Sequence, residues 1–117
     1  MSYMIGYFRV LGDETRWRIA RMVAEEALCI CELAEVLGMP QSTVSSQVQV
    51  MKKVGMLDSE ESGKWSYYRL KPEVREWLER VRGGEEEDPQ VEKDMEMARE
   101  RILKRGEGTC RGPERLK

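Results

Sequence analysis

Apolar residues recur with a helical period along most of the chain, and short polar breaks divide them into segments. Met4, Phe8 and Leu11 fall at i, i+4 and i+7, with Tyr3 and Tyr7 beside them, which predicts a first amphipathic helix. Gly12 interrupts it. Asp13 is a good N-cap and Glu14 sits where the helix dipole favours an acid, so a second helix runs to about Glu26 around Ile19, Met22 and Val23. A short helix near Cys31 to Leu37 buries Leu33, Val36 and Leu37, and Gly38 closes it. Met39-Pro40-Gln41-Ser42-Thr43 turns into another helix, to about Val54, with Val44, Val48 and Met51 on one stripe. Leu57 to Glu61 and Trp65 to Leu70 predict two strands around Ser62-Gly63-Lys64. Pro72 starts a helix with Val74, Trp77, Leu78 and Val81 at helical spacing. Gly83-Gly84 and the acidic run Glu85 to Asp88 lead to a last helix carrying Val91, Met95, Ala98 and Ile102, and the residues after Gly106 read as disordered.

Two short helices joined by a tight turn and followed by a hairpin have the order of a winged helix-turn-helix. The fold class is therefore α+β, mainly α. Residues 1–82 are expected to hold the winged helix-turn-helix, for DNA binding. Residues 83–117 are expected to hold an acidic linker, a helix and a flexible tail carrying Cys110.

Composition limits the chemistry. The 117 residues contain no histidine, which removes Ser–His–Asp and Cys–His catalysis and every His-ligated metal site. No stretch approaches a membrane span and no basic leader is visible, so the expected compartment is the cytoplasm and no membrane partner is expected. Three cysteines, an odd number, argue against a disulfide framework. The net charge of −2 looks unfavourable for nucleic acid until it is located. Residues 1–82 hold twelve basic and twelve acidic side chains; residues 83–117 hold eight and ten. Val36 to Leu57 and Ser62 to Pro72 carry lysine or arginine and no acid, the local basic surface that DNA requires.

The helix after Pro40 can be laid on a wheel of about 100° per residue. Val44, Val48 and Met51 share one side, and Ser42, Ser46, Gln49 and Lys53 face away, flanked by Thr43 and Ser45. With Gln41 at the start and Lys64 at the hairpin tip, these residues are the candidate DNA contacts. Hydroxyls and amides can donate and accept at base edges and phosphates, where carboxylates would be repelled. A polar solvated face is the plainer reading of the wheel alone.

Gly12-Asp13-Glu14-Thr15-Arg16, Ala27-Leu28-Cys29-Ile30-Cys31-Glu32-Leu33, Gln41-Ser42-Thr43-Val44-Ser45 and Gly63-Lys64-Trp65-Ser66-Tyr67-Tyr68-Arg69-Leu70 together resemble the ArsR family of winged-helix metalloregulatory repressors. The resemblance spans roughly Phe8 to Leu78. It implies a repressor that leaves its operator when an inducer binds. It also implies a homodimer built from the first and post-wing helices, whose apolar stripes Tyr3, Met4, Tyr7, Phe8 and Leu11, and Val74, Trp77, Leu78 and Val81, agree with that. One departure is Gln47, where the family usually has histidine; another is Ser46, often basic in the family.

Cys29-Ile30-Cys31 aligns with the cysteine pair of the arsenical sensors of that family. Soft thiolates select As(III), Sb(III) and similar ions, and a helix start is expected to lower thiol pKa. On a continuous helix the two sulfurs would point about 200° apart, so inducer binding is expected to unwind the first turn. The sequence leaves the third donor open. Ala34 occupies the position where the arsenical sensors often carry one, and Cys110 is the only other thiol. It either completes a three-sulfur site or is a free tail cysteine, with a small thiol or water in its place. The expected inducer is As(III) or Sb(III), with no organic cofactor. The alternative is a redox-sensing repressor using the same cysteines. No catalytic motif is present, and no enzyme activity is expected.

Overall fold

The computed structural model describes residues 3–106 and 109–116, with Tyr3 in its backbone only. Helix α1 (Tyr3–Leu11) is followed by α2 (Glu14–Glu25), strand β1 (Leu28–Cys29), α3 (Ile30–Leu37) and α4 (Gln41–Lys53). The hairpin β2 (Leu57–Ser62) and β3 (Trp65–Leu70) precedes α5 (Pro72–Arg82) and α6 (Pro89–Leu103). Local chemistry sets these boundaries. The Asp13 carboxylate accepts the Arg16 N–H at 3.0 Å and caps α2. Gly38 ends α3 in the left-handed conformation, φ +66°, which lets the Met39 N–H close back onto the Ala34 carbonyl at 3.1 Å. Pro72 and Pro89 occupy first-turn positions, where a missing N–H costs nothing.

The hairpin register pairs Ser62 with Trp65 across a two-residue turn, Gly63-Lys64. The sheet has a third strand that the alternation did not predict. Leu28 and Cys29 pair antiparallel with Tyr68 and Tyr67, giving the order β1-β3-β2. Two residues are too few to carry a period. Their effect is to fix Cys29 at the junction where a strand becomes a helix.

One core joins nearly all elements. Ile19, Met22 and Val23 of α2, Leu33 of α3, Val44, Val48 and Met51 of α4, Leu70 of β3, Val74 and Leu78 of α5 and Ala98 of α6 belong to it. Helix α6 is thus part of the packing that holds residues 1–82. Arg18 on α2 grips Asp94 on α6 through two bonds, at 2.8 and 2.9 Å, and Asp94 is buried. An ion pair of Arg101 with Glu35 ties the same helix to α3, and one of Arg105 with Glu32 does so for the turn just after it.

The end of the chain differs from the expected flexible tail. Cys110 is fully buried against Ala27, Cys29 and Tyr67. The Gly112 N–H donates to Tyr67 Oη at 2.7 Å. The backbone N–H groups of Glu114, Arg115 and Leu116 all donate to the Glu60 carboxylate, at 2.6, 2.8 and 2.6 Å. A Gly-rich polar composition reads as disorder, but backbone donors gathered by one carboxylate leave no trace in composition. Gly112 is required where it stands: its φ is +94°, and a Cβ there would lie 3.0 Å from Arg105 Nη1.

Candidate thiol cluster and nucleic-acid interface

The strand-to-helix junction solves the spacing problem of Cys29 and Cys31. Cys29 is extended, φ −93° and ψ 169°, as the last residue of β1 and the N-cap of α3. Cys31 is already helical. The chain turns between them, and the two sulfurs lie 2.9 Å apart. Cys110 Sγ lies 3.6 Å from Cys29 Sγ and 3.9 Å from Cys31 Sγ. With metal–sulfur bonds of roughly 2.3 Å, three sulfurs around one centre stand roughly 3.3–4 Å apart. The expected unwinding of α3 is therefore not needed for convergence, because the pair never lay on one continuous helix.

Thiol acidity also departs from the expected helix-start effect. Burial pushes the Cys29 thiol well above the usual range, and its contact with Cys31 pushes the same way. Burial raises Cys110 too, followed by the negative charge of Glu32. The dipole of an eight-residue helix is outweighed by desolvation.

A charged shell surrounds the sulfurs, and spacing in the sequence did not single it out. Glu32 is fully buried and accepts the Cys29 N–H at 3.0 Å, so it holds the N-cap residue from the third helical position. Arg105 donates to Glu32 at 2.7 and 2.9 Å and to the Ala27 carbonyl at 2.6 Å. Burial alone would raise the Glu32 pKa; the bonds from Arg105 and the Cys29 N–H outweigh it and hold the carboxyl below its ordinary value. Arg101 reaches Cys110 Sγ at 3.8 Å, and its Nη1 is buried without a hydrogen-bond partner. The signal that could have found both arginines is their spacing of four residues ahead of Cys110, Arg101 in the last turn of α6 and Arg105 just beyond it.

On α4, Gln41, Ser42, Thr43, Ser46, Gln49 and Lys53 are exposed, as is Lys64 at the hairpin tip; Ser45 is half-buried. The Ser46 hydroxyl donates to the Ser42 carbonyl at 3.0 Å, which leaves its lone pairs outward. Gln47 is engaged within the chain: its Oε1 accepts from Arg16 Nη1 at 2.8 Å, and Arg16 Nε also donates to the Val10 carbonyl at 2.7 Å. Arg16 therefore ties α4 to the end of α1, a role its place in the second helix did not reveal.

The two apolar stripes divide differently from the expectation. Val74 and Leu78 are buried within the chain, because that side of α5 faces the core. Met4, Phe8 and Val81 are about half exposed, together with Ile5, which the stripe omitted. Tyr7, Leu11 and Trp77 are half-buried, and the Trp77 ring meets Tyr7 and Phe8 edge-on at 5.1 and 5.2 Å. The Tyr3 side chain lies outside the described residues. Phe8, Leu11, Trp17, Trp77 and Val81 line an open apolar hollow of about 230 Å³. No helix among the described residues is long and apolar enough to cross a membrane.

Comparison with known proteins agrees with this architecture. Residues 13–59 match the family described as bacterial regulatory protein, arsR family. The chain is 37% identical over 78 residues to the arsenic resistance transcriptional regulator ArsR1 of Pseudomonas putida, covering 66% of this chain and 61% of that one. It thus spans about three fifths of that relative's length. It is 33% identical over 84 residues to the arsenical resistance operon repressor of Escherichia coli K12, covering 69% of this chain and 72% of the relative. Among solved structures, the homodimeric winged helix-turn-helix DNA-binding domain of Mb0332 from Mycobacterium bovis superposes with a TM-score of 0.61 at 23% identity. That match covers 68% of this chain and 73% of the domain, and it shows the shared fold. By the match to that family and by its likeness to most of the Escherichia coli relative, the chain belongs to the arsR family of bacterial regulatory proteins.

Proposed function

We propose that the chain is a homodimeric DNA-binding transcriptional repressor that leaves its operator when Cys29, Cys31 and Cys110 bind trivalent arsenic or antimony. The single observation that carries this is the gathering of three sulfurs, from positions 29, 31 and 110, within 3.9 Å of one another. The donor set is soft and three-membered, which suits a three-coordinate soft centre better than tetrahedral zinc. The exchange balances with neutral thiols: each gives its proton to one hydroxyl of arsenous acid, which departs as water while an As–S bond forms. The product carries no net charge, which a buried site tolerates.

The DNA reading rests on the acid-free, hydroxyl-rich face of α4 and on Lys64. The dimer reading rests on the exposed apolar residues of α1 and α5 and on the homodimeric Mycobacterium relative of the same fold. A winged helix-turn-helix pair presents two recognition helices to successive half-sites. The cytoplasm is the compartment where such a regulator would act.

The test is a mobility shift on the DNA upstream of its own gene, with and without arsenite. Wild type should bind and release. Cys29→Ser and Cys31→Ser should bind and not release. Cys110→Ser should lose most of its arsenite affinity; full affinity in that variant would leave a two-thiol site. Release by peroxide but not by arsenite would favour the redox reading instead.

A further inference from the structure

The tail does more than bring a sulfur to Cys29 and Cys31. An open cleft of about 860 Å³ lies between the hairpin tip and the tail, with Lys64, Trp65, Thr109, Arg111, Pro113 and Glu114 on its walls. Arg111 and Lys64 are both exposed. Among the described residues the only acid on the walls is Glu114, and its backbone N–H is bound to Glu60. Arg111 stands on a fixed backbone. On one side Cys110 is buried and its carbonyl accepts the Gly106 N–H at 3.0 Å. On the other the Gly112 N–H is bound to Tyr67 Oη, on a strand of the same hairpin.

We infer that Arg111 and Lys64 form a joint phosphate site, so that the tail extends the hairpin's contact with the DNA backbone. The inference rests on the DNA-binding reading and adds a residue to it. A guanidinium suits the task, since it presents several donors in a fixed plane to phosphate oxygens, and a backbone anchored on both sides reduces the freedom lost on binding. A contact of this kind is independent of base sequence, and it releases counterions.

The experiment is a salt titration of DNA affinity with the full chain, on the duplex from upstream of its own gene and on a scrambled duplex. Arg111→Ala should weaken binding to both by about tenfold per protomer near about 0.1 M salt, and lower the salt slope by about 1 per protomer. Arg111→Lys, which keeps the charge, should restore most of the slope. Arg99→Ala, which removes an exposed arginine on α6, should change neither quantity. Equal slopes for wild type and Arg111→Ala, with wild type binding normally, would overturn this inference and leave the DNA reading intact. Failure of wild type to bind any duplex would overturn both.

Discussion

At the scale of single residues, buried charge sets what the thiol cluster can tolerate. Glu32 is fully buried and Arg105 is its main partner, so neither is replaceable alone. Arg105→Ala would leave the buried carboxylate with only the longer Arg101 contact, at 3.9 Å, as counterion, and urea unfolding should show a loss of up to about 3–5 kcal/mol. Glu60 carries a different kind of prediction. Its desolvation opposes ionisation, but three backbone N–H groups from the tail outweigh that, and its carboxyl is held below the ordinary range. A carboxyl depressed in the folded state contributes stability above its unfolded pKa, and that contribution is lost as pH falls through the folded pKa. Attachment of the tail should therefore persist at neutral pH and fail below the ordinary carboxylate range. Hydrogen exchange of the Glu114, Arg115 and Leu116 amides should report it: protection falls with acid in wild type and is already weak at neutral pH in Glu60→Gln. Equal protection in the two proteins at neutral pH would contradict the assignment.

At the scale of elements, the helices were legible because each carries an apolar stripe with a cap or a breaker at its ends. Asp13, Gly38, Pro72 and Asp88 mark boundaries that the structure keeps within a residue or so. What periodicity could not supply was the partner of each stripe. Helix α5 divides its stripe, with Val74 and Leu78 turned to the chain's own core and Val81 to the outside. This gives two separable outcomes. Leu78→Ala should lower the unfolding free energy by about 2–5 kcal/mol, as a cavity in a packed core does. Phe8→Glu, at a half-exposed position on α1, should cost folding little more than the roughly 0.5–1.5 kcal/mol of its ring contact with Trp77 and shift sedimentation from dimer to monomer. A dimeric Phe8→Glu protein would remove α1 from the proposed interface. The strand β1 and the tail were illegible for one shared reason. Each is held by backbone bonds to distant groups, Tyr67 and Tyr68 for β1 and Tyr67 and Glu60 for the tail, and no spacing along the chain encodes a distant acceptor. The two cysteines were legible as candidate ligands but not as a converged pair, because convergence depends on that same unforeseen strand.

At the scale of the whole molecule, the tail is a second physical link between the sulfurs and the hairpin, beside the direct pairing of Cys29 with Tyr67. Cys110 meets Cys29 and Cys31, Gly112 is bound to Tyr67 of β3, and the next residues are bound to Glu60 of β2. An inducer bound by Cys110 together with Cys29 and Cys31 would therefore act on both hairpin strands through backbone hydrogen bonds. It also acts on Cys29, which is paired with Tyr67 in the sheet. Coupling of this sort is a free energy shared by both sites, so it must run in both directions. If arsenite lowers DNA affinity by some factor, saturating DNA must lower arsenite affinity by the same factor. Glu60→Gln cuts one link of the chain while leaving all three thiols in place. Arsenite should still bind this variant in the absence of DNA with little change, measured by titration of the free protein. The ratio of DNA affinities with and without arsenite should shrink, and the ratio of arsenite affinities with and without DNA should shrink by the same factor. An undiminished ratio in Glu60→Gln would mean that the signal does not pass through the Glu60 bonds, leaving the pairing of Cys29 with Tyr67, the Gly112 bond to Tyr67 and the path through α3 to α4.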